Sequence, residues 1–103
     1  MKINYMDKNN NILTEIDVNF EDKTVNIINH TDNIFDRAFG NIENPDIDDF
    51  NYFINSRSIP KTRYNFDEEM KRWGITDTSP LGIVKFFKGK TSDDDNWLDF
   101  IED

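Results

Sequence analysis

The run ILTEIDVNF (Ile12–Phe20) alternates: Ile12, Ile16 and Val18 fall mostly on one side, Glu15 and Asp17 on the other. A period of two marks a half-buried β-strand, because successive side chains of an extended chain point to opposite faces. An acidic turn, EDK, then leads into TVNIIN, and KINYM precedes it across the polar turn DKNNN. Together these segments predict three short antiparallel strands in a meander.

From residue 31 the period lengthens. TDNIFDRAFG offers Thr31 or Asp32 as a cap, Ile34, Phe35 and Phe39 as apolar contacts and Gly40 as a stop, which predicts one or two helical turns. NPDIDDFNYFINSR reads as a longer helix. Asn44 is its expected cap and Pro45 its first turn, Asp46, Asp48 and Asp49 complement the dipole, and Ile47, Phe50, Phe53 and Ile54 share a face to be buried.

Pro60 pushes its predecessor toward extended geometry, so SRSIPKTR (Ser56–Arg63) forms a corner flanked by Arg57 and Arg63. Thr62 is the expected cap of the next helix, with Phe66, Met70 and Trp73 on one stripe and Gly74 as terminator. Ser79 and Pro80 open a further, strongly apolar helix in which Ile83, Val84 and Phe87 face inward before Gly89. An acidic loop then leads into Trp97–Ile101, whose spacing fits a strand or a helical turn; the strand is adopted here. The chain reads as α+β and a single domain over residues 1–103: a small N-terminal antiparallel β-meander packed against three to four short helices, with a short C-terminal strand.

At 103 residues, the length prior allows one hydrophobic core and not two. Nine Phe, three Tyr and two Trp supply the apolar area to build it. The formal charge of −9 would repel a nucleic-acid backbone, which disfavours direct nucleic-acid binding. With no cysteine there is no disulfide, thiolate nucleophile or Cys-based zinc site. MKINYMDKNN is polar from residue 4 and has no apolar h-region, and no apolar run reaches the length of a membrane span, so a cytoplasmic protein without membrane association is expected.

Arg57-Ser58-Ile59-Pro60, then Arg63, a helix to Trp73-Gly74-Ile75, an apolar helix closing at Gly89 and an acidic run into Asn96-Trp97 resemble the segment that precedes the kinase domain of HipA-type bacterial proteins. YMDKNNNILTEIDV is likewise similar to the hairpin that opens those proteins, and similar sequences occur as free-standing small proteins. The resemblance implies a non-catalytic module that packs against, or regulates, a toxin-like kinase, as accessory or antitoxin-like subunits do. Residues 1–103 are too few to hold a kinase domain as well, so kinase activity is not expected of them, and no catalytic residue of that family maps onto them.

The residues themselves offer little chemistry. His30 is the single histidine and has no triad partner nearby, and the four glycines form no phosphate-cradling loop. An EF-hand loop needs Gly at its sixth position; counting from Asp93 that position is Leu98, and from Asp7 it is Ile12. No enzyme, cofactor or metal site is therefore expected, and Asp93, Asp94 and Asp95 read as a solvated acidic loop or a contact for a basic partner. Arg57 and Arg63 either tie the corner to acids such as Asp46, Asp48, Asp49, Asp67 and Glu68 or anchor a protein partner, with Tyr52, Tyr64 and Trp73 as neighbours. A second reading, from charge alone, is a small acidic inhibitor of a nucleic-acid enzyme, anti-CRISPR-like, whose carboxylates imitate phosphate spacing.

Overall fold

The computed structural model describes residues 1–102. Strands β1 (Lys2–Met6), β2 (Ile12–Asn19) and β3 (Thr24–Asn29) form the expected meander, and β4 (Trp97–Glu102) returns to pair with β1. The four-stranded antiparallel sheet has the order β3-β2-β1-β4, so the chain leaves from one edge and comes back to the other. A 3-10 turn (Ile34–Asp36) and helices α1 (Ile47–Ser56), α2 (Phe66–Trp73) and α3 (Pro80–Phe87) fill the interval.

Pleating sets the faces. Ile3 pairs with Ile16 and with Phe100, Tyr5 with Thr14 and with Leu98, and Val18 with Val25, which aligns one apolar face under the helices. Thr14 is fully buried there in place of a hydrophobe. Its hydroxyl donates to Asn29 Oδ1 (2.9 Å) and accepts from the Ala38 N–H (3.2 Å), which fastens β2 to β3 and to the segment beyond it. Ile16 and Val18 are buried as their alternation predicts, while Ile12, at the strand's start beside a register shift between Tyr5 and Met6, is half-buried.

Helix α1 buries Phe50, Phe53 and Ile54 as its spacing demands, and each is worth about 1.5–3 kcal/mol of apolar burial. Phe53 meets Tyr5 edge-on at 5.4 Å and Phe39 at 5.4 Å. The cap is Asp46 rather than Asn44. Asp46 accepts from the Asp49 N–H while Asp49 accepts from the Asp46 N–H, both at 2.9 Å, a reciprocal box that leaves Pro45 outside the helix. Thr62 does not cap α2 either: the chain enters that helix through Asn65 in the left-handed region (φ 59°), a conformation Asn tolerates. Gly74, at φ 74°, closes it as expected, with the Ile75 N–H reaching back to the Met70 carbonyl (2.9 Å). Ser79 caps α3 through the Gly82 N–H, with Pro80 in the first turn. The 31–40 segment is the weakest match, since Asn33 caps its single turn and Ile34 and Phe35 are exposed; only Phe39 joins the core.

Buried side chains form two clusters where length predicts one. The larger lies between the sheet, Phe39, α1 and α3; the smaller gathers Phe66, Met70, Ile75 and Ile83, flanked by Ile59 and Phe87. Helix α3 serves both, because Val84 turns to the sheet and its neighbour Ile83 turns to α2. That double duty explains why α3 is so apolar. Among the described residues, no helix is long and apolar enough to cross a membrane.

Candidate interaction site

The corner after α1 is built on Arg57, only 9% exposed despite its charge. Its Nε donates to the Gly89 carbonyl (2.7 Å), its Nη1 and Nη2 donate to the two Asp94 carboxylate oxygens (3.2 and 2.8 Å), and Nη2 also donates to the Asn96 carbonyl (3.0 Å). The guanidinium also lies 5.3 Å from the centre of the Tyr5 ring. A planar fork suits this task, since one side chain binds a carboxylate bidentately and two carbonyls besides. Hydrogen bonding from Arg57 holds the Asp94 carboxyl below the usual carboxylate range, against the opposing pull of partial burial. Asn96 Nδ2 donates to the Tyr5 hydroxyl (2.7 Å) and Trp97 Nε1 to the Asp7 carbonyl (3.1 Å), so the loop that Arg57 grips delivers β4 to β1.

Arg57 therefore finds its acid in the C-terminal loop and not among Asp46, Asp48, Asp49, Asp67 or Glu68. With Arg57 committed inward, the pair expected at the corner separates. Arg63 is more than half exposed and reaches Glu69 with Nε at 3.5 Å, a contact worth little in water. It lines a groove with Ile59, Glu69, Arg72, Trp73 and Phe87. Trp73, 57% exposed, stacks edge-on against Phe87 at 5.7 Å, and Phe87 against the exposed Phe86 at 5.0 Å. This aromatic ledge, rimmed by Arg63 and Arg72, is the feature with the composition of a protein-binding hot spot.

The remaining candidates lie apart from it. Tyr52, 79% exposed, sits on α1 beside a separate depression lined by Ala38, Phe39 and Ile42. Tyr64, 86% exposed, stands at the corner itself with no ring partner. Asp94 is spent on Arg57, whereas Asp93 and Asp95 are exposed and make no ion pair among the described residues. No three His, Asp or Glu side chains converge as a metal site among the described residues. His30, just past the end of β3, makes an exposed contact with Glu15.

Phe86 and Arg72 escaped the sequence reading. Stripe analysis assigns the inward face of α3 and leaves Phe86 unplaced; two adjacent rings on one short helix, both of which cannot be buried, were the available signal. Charge segregation is equally legible in hindsight. Residues 57–90 hold eight of the twelve Lys and Arg but four of the 21 Asp and Glu, a local balance of +4 against −13 for the rest. The cations thus gather in the corner before α2 and around the end of α3, while α1 and the strands carry net negative charge. Ser58, within the corner, has its hydroxyl buried without a hydrogen-bond partner, a state that costs about 1–3 kcal/mol. Comparison of the chain with protein-family models, with curated proteins and with solved structures finds no match.

Proposed function

We propose that this chain is a non-catalytic protein-binding module that acts as an accessory or antitoxin-like partner of a HipA-type kinase. The observation that supports binding is the ledge of Trp73 and Phe87 beside Arg63 and Arg72, extended by Phe86 stacked on Phe87, because solvent-exposed aromatics beside unburied arginines are what interfaces bury. The kinase as partner rests on the resemblance carried by the Arg57–Arg63 corner and the Asn96-Trp97 junction. Co-expression with a HipA-type kinase of the same organism, followed by co-purification and a growth assay, tests the reading. A stable complex and altered toxicity are expected, with both lost in Trp73→Ala; neither complex nor altered growth would refute it.

The acidic-inhibitor reading is favoured by one observation, the −13 balance outside residues 57–90. On that reading the acidic end meets a basic nucleic-acid enzyme, binding collapses as salt rises past about 0.15 M and DNA competes for the site.

A further inference from the structure

On the other side of the corner, a cleft of about 330 Å3 runs between the SRSIP segment and the turn after α3. Ser58, Arg63, Lys90, Thr91 and Ser92 bring polar groups to it, and Ile59, Pro60 and Phe87 form an apolar wall. Several features of its polar groups are unused by the fold. Ser58 Oγ is buried and bonded to nothing, so its proton is open to a ligand oxygen after a change of χ1 rotamer. Lys90 is exposed, and no acid pairs with it among the described residues. Arg63 has only its long contact with Glu69. Thr91 Oγ1 accepts from the Asp93 N–H (3.2 Å), which leaves its own proton to give.

We infer that this cleft binds a phosphoryl monoester, held by Arg63 and Lys90 and hydrogen-bonded by the hydroxyls of Ser58 and Thr91. A phosphoryl group presents three terminal oxygens in a tetrahedral spread, which suits donors arriving from two walls better than a planar carboxylate does. The apolar wall lowers the local dielectric and would contact the carbon side of the ester. Two carboxylates oppose this, Asp93 at the rim and Glu69 at 3.5 Å from Arg63 Nε; a phosphoryl dianion would have to draw Arg63 from that exposed contact, while Lys90 pairs with no acid among the described residues. Arg57 adds little, since Asp94 already neutralises it. The −9 of the whole chain is screened beyond about 8 Å at physiological salt, while residues 56–95, which surround the cleft, balance at +1. This inference does not depend on the kinase reading.

Two sources share the chemistry: free phosphate compounds and a phosphorylated side chain of a protein. The test is an amide NMR titration of the full chain near pH 7 at constant ionic strength, where a phosphomonoester is mostly dianionic. Its arms are inorganic phosphate, a short phosphoserine peptide and the same peptide unphosphorylated. Saturable shifts confined to Ser58, Arg63 and Lys90–Ser92 are expected with the two phosphorylated probes and not with the third. Tighter binding of the peptide would assign a protein-borne phosphate, and tighter binding of inorganic phosphate a free one. Arg63→Gln and Lys90→Gln should each weaken binding at least about tenfold with the spectrum's dispersion intact. Non-saturating shifts spread over Lys2, Lys8 and Lys23, equal response to the unphosphorylated peptide, or unchanged affinity in both variants would overturn the inference.

Discussion

Arg57 shows how one side chain organises a corner. It satisfies two backbone carbonyls and a carboxylate contributed by residues more than thirty positions away, and it does so almost out of contact with water. Replacing it by Met leaves those acceptors without a donor, and a loss of about 2–4 kcal/mol is expected in urea denaturation. Arg57→Lys should recover less than half of this, because an ammonium cannot reproduce the bidentate fork. The pH dependence has a definite sign. Since Asp94 titrates below its ordinary value of 3.8 in the folded protein, its pairing stabilises the fold above that value and the contribution fades as pH falls further. Asp94→Asn should therefore be less stable than the parent at neutral pH, and the gap should close on acidification below 3.8; a gap that persists in acid would argue against the pairing. The sequence singled out Arg57 but supplied the wrong acids. Its neighbours in the chain were the visible candidates, whereas the loop that carries Asp94 reaches it only through the path of α2 and α3, which no local pattern encodes.

At the scale of elements, turns and caps decided where local reading succeeded. Ser79-Pro80 and Gly74 mark their helix ends through backbone constraints intrinsic to those residues, and both stand where the sequence predicts. Asn44 and Thr62 are capable caps by type, yet Asp46 holds α1 through its reciprocal bonds with Asp49, and two successive turns, Arg63 N–H to the Pro60 carbonyl and Phe66 N–H to the Arg63 carbonyl, precede α2 and place its start at Phe66. Residue-type preference alone cannot rank such competitors. Gly89 ties the elements together: it stands at φ 64°, gives its carbonyl to Arg57, and a Cβ there would lie 2.7 Å from Leu98 Cγ near the start of β4. Gly89→Ala should cost about 2–4 kcal/mol by combining backbone strain with overpacking. Calorimetric melting checks this, and a loss below about 1 kcal/mol would mean that β4 docks independently of the α3 terminus.

Viewed whole, the molecule is polarised. Alternation in Ile12–Phe20 and the apolar stripes of α1 and α3 made the α+β layering readable, because burial of one face imposes a period that survives in a single sequence. Exposure is not periodic, so the ledge of Trp73 and Phe86 emerged only when α2 and α3 packed around their own small core and left those rings outside. The sheet's open face is acidic with isolated apolar residues at Ile28 and Ile101, while α2 and α3 leave Trp73 and Phe86 exposed, with Arg63 and Arg72 beside Trp73. Association through the helical end is the central claim, and hydrogen-exchange footprinting of the chain with and without a HipA-type kinase tests it most directly. Protection is expected over Ser56–Arg63, Met70–Gly74 and Val84–Lys88, with the amides of β2 and β3 unchanged. Protection confined to the outer strands, or none at concentrations well above about 10 μM, would contradict it.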